Sequence, residues 1–215
     1  MDLNRRGLLI SGAALATLGA VTRPAGALLP TPPQTSGPFY PLTLPLDADN
    51  DLVQVAGRSE RAAGTILHLG GRVLDRDGRP VPGARIEVWQ CDAFGVYHHP
   101  RDPRGPADPN FQGFGATTAA ADGGYRFRTI EPVSYPGRTP HIHLTLTGPG
   151  FERLTTQMYL AGHPLNEGDG LYRRIADPAA RAAVTVALLP APELEPRTGQ
   201  PAKRADFDIV LGLIT

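Results

Sequence analysis

Short segments of alternating apolar and polar residues, separated by glycine-rich turns, constrain the fold of this 215-residue chain most strongly. Residues 84–90 and 125–130 alternate with a period of two, which is typical of half-buried strands. The Asp-Gly pairs at 77–78 and 122–123 predict tight turns. Asp177 followed by Pro178 predicts one short helix that ends at about Arg181. Further strand signals lie at 66–74, 141–147, 154–160, 183–188 and 207–211.

Seven or eight such strands predict an all-β fold, a β-sandwich of mostly antiparallel strands with long loops and at most short helices. The 25 glycines and 23 prolines suit the turns between them. We expect residues 28–63, which are rich in proline, to form an N-terminal arm, and residues 64–215 to form the β-sandwich domain. The chain has 21 basic and 21 acidic residues and no basic stripe, which argues against nucleic acid as a partner. Its single cysteine, Cys91, excludes an internal disulfide framework and a cysteine-rich metal site.

Residues 1–27 have the pattern of an export signal. Arg5 and Arg6 precede an apolar stretch, residues 8–21, that is too short to span a bilayer. Ala25-Gly26-Ala27 offers a cleavage site of small residues. The paired arginines resemble a bacterial twin-arginine signal, and a general secretory signal is the alternative. We expect a periplasmic or extracellular protein with no stable membrane insertion once the signal peptide is removed.

Four side chains could form a metal site. His141 and His143 are two apart on a predicted strand, so their side chains project from the same face. Tyr97 and Tyr135 add two phenols, which bind a metal well only when the ion is acidic enough to take them as phenolates. Fe(III) suits this nitrogen and oxygen set better than Cu(I) or zinc does. A tyrosine at a strand end is more often a core residue, so spacing alone leaves this site a hypothesis.

Ordered motifs in the chain resemble the catalytic core of the intradiol ring-cleavage dioxygenases. The segments are 84–97, 108–111, 124–130 and 140–143, and the likeness covers roughly residues 64–190. The stretch Thr-Ser-Gly-Pro-Phe-Tyr at 35–40 is similar to the family's N-terminal arm. The likeness is strongest to protocatechuate-type subunits and to secreted members. The resemblance implies a non-haem Fe(III) enzyme that opens catecholic rings between the two hydroxyls with O2, giving cis,cis-muconate-type products.

The resemblance also assigns roles to individual residues. It implies that Tyr135 is the axial ligand that can leave the metal as a phenol and take a substrate proton. It places Arg138 beside the substrate ring and Gln157 on the far wall of the pocket. The expected iron ligands are Tyr97, Tyr135, His141 and His143, and the expected substrate-binding residues are Arg138, Gln157, Gly37 and Pro38.

One departure from the family pattern leaves the substrate open. Only Pro136 and Gly137 separate Tyr135 from Arg138, whereas protocatechuate-type subunits have a longer insertion there. Catechol, protocatechuate, hydroxyquinol and lignin-derived catechols therefore all stay candidate substrates, together with O2. A homo-oligomer is also left open. The loop that contains Arg101, Asp102 and Arg104 is expected to be solvated.

Two alternatives compete with this interpretation. A transthyretin-like or carboxypeptidase-regulatory-like β-sandwich binding module without catalysis would share the hairpin patterns at 71–84 and 122–127. A degenerate family member could bind aromatic compounds without turnover. A binding module has no reason to retain the four metal donors together with Arg138, so the dioxygenase interpretation is favoured.

Overall fold

The computed structural model describes residues 26–45, 47–196, 199 and 201–212. The predicted export signal therefore lies outside the described residues except at its last two positions. None of the helices within these ranges is long and apolar enough to cross a membrane. The strands are β1 (Ile66–Leu74), β2 (Arg85–Trp89), β3 (Phe114–Thr118), β4 (Gly124–Ile130), β5 (His141–Thr147), β6 (Leu154–Leu160), β7 (Thr185–Val186), β8 (Leu189–Pro190), β9 (Ala202–Asp206) and β10 (Ile209–Val210), and the α-helices are α1 (Gly170–Arg173) and α2 (Pro178–Ala183).

The strands form two five-stranded sheets, which confirms the predicted all-β sandwich. In the first sheet β1 pairs antiparallel with β4 and parallel with β9 and β10, and β8 pairs with β9. The second sheet has the order β3-β2-β5-β6-β7. The pairs β2–β3, β2–β5 and β5–β6 are antiparallel, whereas the short edge strand β7 pairs parallel with β6.

Strand β3 was not predicted, because its sequence carries no alternating apolar pattern. Gly115 lies in its centre, and a Cβ there would come within 2.5 Å of the Asp49 carbonyl oxygen and of Leu52 Cδ1. The arm thus crosses this strand at a distance that only glycine allows. The close contact with the arm therefore requires glycine at position 115. This contact cannot be predicted from the sequence of β3 alone.

The predicted strands near the C-terminus were wrong in extent. Of residues 207–211 only Ile209–Val210 is a strand, because the edge along β1 is divided between β9 and β10. Of residues 183–188 only Thr185–Val186 is a strand, because α2 continues to Ala183. The start of α2 was predicted correctly, since the Asp177 side chain accepts a hydrogen bond from the Ala179 N–H as the N-cap.

The alternation along β5 assigns its two faces to different tasks. Ile142 and Leu144 are fully buried in the main core, which is shared by both sheets. His141 and His143 point from the opposite face, where Trp89 and Tyr97 form part of a second, smaller cluster. The N-terminal arm adds partly buried aromatic side chains to this cluster. The histidines are therefore buried on the outer face of the second sheet, beneath the arm and the connecting loops.

Candidate metal centre and active site

Strand register places the two histidines between specific neighbours. His143 is paired across the sheet with Trp89 on one side and with Gln157 on the other, and His141 is paired with Tyr159. The His143 ring lies parallel to the Trp89 ring, with centroids 4.9 Å apart and an interplanar angle of 6°. This stacking fixes the plane of the His143 imidazole.

His141 is oriented by a backbone carbonyl. Its Nδ1 lies 2.7 Å from the Thr139 carbonyl oxygen, which can only accept, so Nδ1 carries the proton. The lone pair is then on Nε2, which is buried and has no hydrogen-bond partner among the described residues. An imidazole held through one nitrogen with the other left free is the arrangement that metal-binding histidines adopt.

Tyr135 begins a tight turn that also carries Arg138. The Arg138 N–H donates to the Tyr135 carbonyl oxygen at 2.9 Å. Pro136 and Gly137 occupy the two central positions, and Gly137 has φ +81°, the combination that a type II turn requires. The turn holds the two flanking side chains side by side, so Arg138 Nη1 lies 3.4 Å from Tyr135 Oη.

Tyr97 reaches the site from the loop after β2. Its N–H donates to Asp102 Oδ2 at 2.7 Å, and its ring stacks on Phe39 of the arm with centroids 4.9 Å apart. The side chain is 3% exposed, and its hydroxyl is buried with no hydrogen-bond partner in the described part of the chain. A buried hydroxyl without a partner is costly, which indicates that another group satisfies it.

The four predicted ligands form a closed circuit of ring contacts. The centroids of Tyr97 and Tyr135 are 5.8 Å apart, and those of Tyr135 and His141 are 5.6 Å apart. His141 and His143 are 4.8 Å apart, and His143 and Tyr97 close the circuit at 6.3 Å. Within the described residues no three His, Cys, Asp or Glu side chains cluster as a metal site, so a metal here depends on the phenols.

Burial sets the protonation of these four groups. It lowers the pKa of His141 to about 3, with a further contribution from the Arg138 charge, and it lowers the pKa of His143 well below its usual value. Both imidazoles are therefore neutral and able to donate a lone pair. Burial raises the pKa of Tyr97 well above 10, and it raises the pKa of Tyr135 although Arg138 opposes the shift. The phenols lose their protons only to a strongly acidic ion.

Arg138 is held by three neighbours. Its Nε donates to Asp169 Oδ2 at 2.8 Å, and its Nη2 donates to Gln157 Oε1 at 2.6 Å. Its third contact is the Tyr135 hydroxyl. Burial alone would lower the pKa of Arg138, but its hydrogen bond to the Asp169 carboxylate and the negative charge of that carboxylate raise the pKa. The guanidinium is thus a fixed positive charge next to Tyr135.

Gln157 is fixed in turn by the arm. Its Nε2 donates to the Thr35 carbonyl oxygen at 3.0 Å, and its Oε1 accepts from the Tyr159 hydroxyl at 3.2 Å. Gln34 of the arm contacts both Gln157 and Tyr159. Its Oε1 accepts from the Tyr159 hydroxyl at 2.7 Å, and its Nε2 donates to the backbone carbonyl of Gln157 at 3.3 Å. The arm therefore determines which way the Gln157 amide faces.

The two arm residues predicted to bind substrate lie in different surroundings. Gly37 has φ +67°, and a Cβ built on it would lie 3.4 Å from Cε1 of His143. The arm backbone therefore covers the His143 ring closely. Pro38 is exposed and follows this contact. Its role in substrate binding stays a prediction.

Sequence reasoning missed Asp169, Tyr159 and Gln34. Asp169 is the N-cap of α1, and its Oδ1 accepts from the Leu171 and Tyr172 N–H groups. The Asp-Gly-Leu pattern could have indicated the cap, but not the contact with Arg138, which lies 31 positions away. The predicted solvated loop was also wrong in part, because the Asp102 side chain is 0% exposed and Arg104 is 20% exposed.

Comparison with known proteins identifies the family. A family model described as "Dioxygenase" matches residues 35–212. The beta chain of protocatechuate 3,4-dioxygenase from Burkholderia cepacia is 38% identical over 172 residues, which cover 76% of this chain and 71% of that protein. The chain belongs to the intradiol dioxygenase family. Hydroxyquinol 1,2-dioxygenase from Corynebacterium glutamicum is 32% identical over 195 residues, 81% of this chain and 61% of that protein. The chain thus spans less than two thirds of the length of this second relative.

Solved structures agree with this assignment. The dioxygenase domain of a dioxygenase carbohydrate-binding protein fusion from Streptomyces sp. SirexAA-E has a TM-score of 0.64 and 32% identity, and the match covers 86% of this chain and 99% of that domain. Catechol 1,2-dioxygenase from Acinetobacter sp. ADP1 has a TM-score of 0.66 and 27% identity, covering 86% of this chain and 63% of that structure. The comparisons support intradiol ring cleavage and not the transthyretin-like binding module. Intradiol dioxygenases use non-haem iron.

Proposed function

We propose that this chain is a ferric intradiol dioxygenase for catecholic substrates, with iron held by Tyr97, Tyr135, His141 and His143. The observation that carries the proposal is the closed circuit of these four rings, in which the buried Tyr97 Oη and His141 Nε2 lack partners among the described residues. Neutral imidazoles and displaceable phenol protons suit a hard trivalent cation. A ferric ion held there would bind both oxygens of a catechol and activate the ring toward O2, giving cis,cis-muconate-type products.

Differences in burial separate the roles of the two phenols. Tyr97 is 3% exposed, lies under Phe39 and is tied through its backbone to Asp102, so it is suited to stay in place. Tyr135 is only partly buried and sits on a short turn. We therefore assign Tyr135 Oη as the group that accepts one of the two substrate protons. Arg138 Nη1 lies 3.4 Å from that oxygen and can donate a hydrogen bond to it whether Tyr135 is a phenol or a phenolate.

Arg138 also stabilises the negative charge that develops on the substrate. Its guanidinium is cationic at every working pH and is held rigidly by Asp169 and Gln157. A positive charge fixed in advance stabilises developing negative charge without reorganisation. Gln157 and the arm residue Gly37 would form the neighbouring walls.

Oxygen uptake with product analysis tests the reaction. The full chain, reconstituted with ferric iron, is supplied with catechol, protocatechuate and hydroxyquinol in turn. We expect O2 consumption with at least one of them and a product that retains both atoms of 18O2 before any exchange with water. Tyr97→Phe should abolish turnover, whereas Tyr125→Phe, which removes a buried hydroxyl of β4 that donates to the Phe207 carbonyl in the main core and not in the cluster of Tyr97 and Tyr135, should retain it. Binding of these catechols without any O2 uptake would support the degenerate member and refute the enzyme.

We also propose that the protein is exported as a folded protein. The support is the sequence alone, with Arg5 and Arg6 before the apolar residues 8–21. Fractionation of bacterial cells that produce the full chain should find the mature protein in the periplasm or medium. Replacing both arginines with lysine should retain it inside. Equal export of the lysine variant would refute the twin-arginine route.

A further inference from the structure

Arg104 lies against both of the tyrosines that are proposed to bind iron. Its guanidinium carbon Cζ is 4.2 Å from the centroid of the Tyr135 ring and 5.8 Å from that of Tyr97. It is also 5.2 Å from the centroid of Phe39, the arm residue that stacks on Tyr97. These distances are within the range of cation–π contacts. One positive charge therefore contacts three rings at the site.

The guanidinium is anchored at its other edge. Arg104 Nε donates to Asp102 Oδ1 at 2.7 Å, and Nη2 donates to Oδ2 of the same carboxylate. The Asp102 side chain is 0% exposed, and it also accepts a hydrogen bond from the Tyr97 N–H. The pair thus links the backbone of one phenol ligand to the ring of the other. Arg104 Nη1 is buried without a hydrogen-bond partner in the described residues.

Tyr135 consequently lies between two guanidinium groups. Arg138 approaches its hydroxyl, whereas Arg104 covers its ring. A cation over a phenol ring stabilises the phenolate more than the neutral phenol, because the phenolate ring carries part of the negative charge. The Asp102 carboxylate partly neutralises this effect from the far side of Arg104. The field at the two rings is therefore set by the balance of this ion pair.

We propose that Arg104, balanced by Asp102, is a positioning residue that sets how strongly the two phenolate ligands donate electrons to the iron. The inference rests on the proposed function, since it requires iron at the four ligands. A weaker positive field raises the energy of the phenolate electrons and so lowers the energy of the tyrosinate-to-iron transition. Removing Arg104 and removing Asp102 should thus have opposite effects, which a merely structural role would not produce.

The visible absorption maximum of the ferric protein tests this directly. Arg104→Gln keeps a donor for Asp102 and removes the charge, so the band should move to longer wavelength. Asp102→Asn keeps an acceptor for the Tyr97 N–H and leaves Arg104 uncompensated, so the band should move to shorter wavelength. Arg101→Gln, a neutral replacement at an exposed position in the same loop, should leave the band unmoved. We expect kcat to fall by about 10- to 100-fold in Arg104→Gln with a smaller change in KM.

The outcomes separate this inference from the proposed function. A wild-type protein that binds ferric iron without a tyrosinate band would overturn both. A normal wild-type band that Arg104→Gln leaves unmoved, or shifts to shorter wavelength, would overturn the inference and leave the ligand set intact. Should Arg104→Gln fail to fold, Asp102→Asn decides alone, because a band that is unmoved or shifted to longer wavelength contradicts the role of the charge balance.

Discussion

Asp169 offers a quantitative test of the network that holds Arg138. Its carboxylate is 0% exposed and accepts four hydrogen bonds, from Arg138 Nε at 2.8 Å and from the N–H groups of Thr139, Leu171 and Tyr172 at 2.8–3.0 Å. Asp169→Asn preserves the size of the side chain. One amide oxygen can still cap α1, but the NH2 group then faces Arg138 and the Thr139 N–H, which are both donors.

The cost follows from leaving Arg138 without its counter-ion. Breaking a buried ion pair by removing one partner costs about 3–5 kcal/mol. The Arg138 side chain is 15% exposed, and this residual hydration places the expected loss at about 3 kcal/mol, the lower end of that range. With a urea m-value of about 2 kcal/mol/M, the unfolding midpoint of the metal-free protein should fall by about 1.5 M.

Asp177→Asn is the matched control. Asp177 is the N-cap of α2, as Asp169 is of α1, but it is exposed, and among the described residues its side chain accepts only from the Ala179 N–H. Asparagine caps helices about as well as aspartate, so the unfolding free energy should change by only a few tenths of a kcal/mol. Urea unfolding followed by tryptophan fluorescence compares the two variants. Equal losses for the two variants would show that Asp169 acts as a cap and not as the counter-ion of Arg138.

Three further predictions follow from the same geometry. The folded-state pKa of His141, about 3, and that of His143 lie below the unfolded value of 6.5, so their contribution to stability is present above pH 6.5 and is lost as pH falls toward 3. Each imidazole should give a slope of about 1.4 kcal/mol per pH unit in the unfolding free energy of the metal-free protein, and a His141→Asn variant with an unchanged slope would contradict this. Because the phenol pKa values of Tyr97 and Tyr135 are raised, ferric loading near pH 7 should release about one proton per phenol and should strengthen as pH rises. A pH indicator should show one proton fewer for Tyr97→Phe, and an equal release in both proteins would exclude Tyr97 as a ligand. Gly37→Ala should cost about 1 kcal/mol in unfolding free energy, because φ is +67° and the new methyl meets His143, and an unchanged midpoint in urea would contradict this arm placement.

The elements that the sequence predicted well are those whose own residues determine their burial. Strand β5 alternates between core and site, so the shared face of His141 and His143 could be read from spacing. Strand β9 has the sequence Ala-Lys-Arg-Ala-Asp, which lacks large apolar residues. The sequence of β9 alone does not predict a strand, and β9 forms one because it pairs with β1. Strands specified by their neighbours are therefore the ones that local patterns miss.

The candidate site shows the same division. The four ligand positions were assigned through motifs, but the motifs carry no information on which charges surround them. Arg104 and Asp102 were expected in solvent because arginine and aspartate usually are. The structure pairs them beneath aromatic rings of the site. The contact between Arg104 and the Tyr135 ring requires the loop after Tyr97 to pack against the turn at Tyr135. No local sequence pattern predicts this packing.

Ferric titration of the metal-free protein, followed by visible absorption and metal analysis, tests the central claim most directly. The account predicts one iron per chain and a tyrosinate-to-iron band that saturates at that ratio. The band should shift in Tyr135→Phe, which retains Tyr97, and should disappear when both tyrosines are replaced by phenylalanine. Iron bound at one equivalent without such a band, or a band that survives the double replacement, would contradict a centre built on these two phenols.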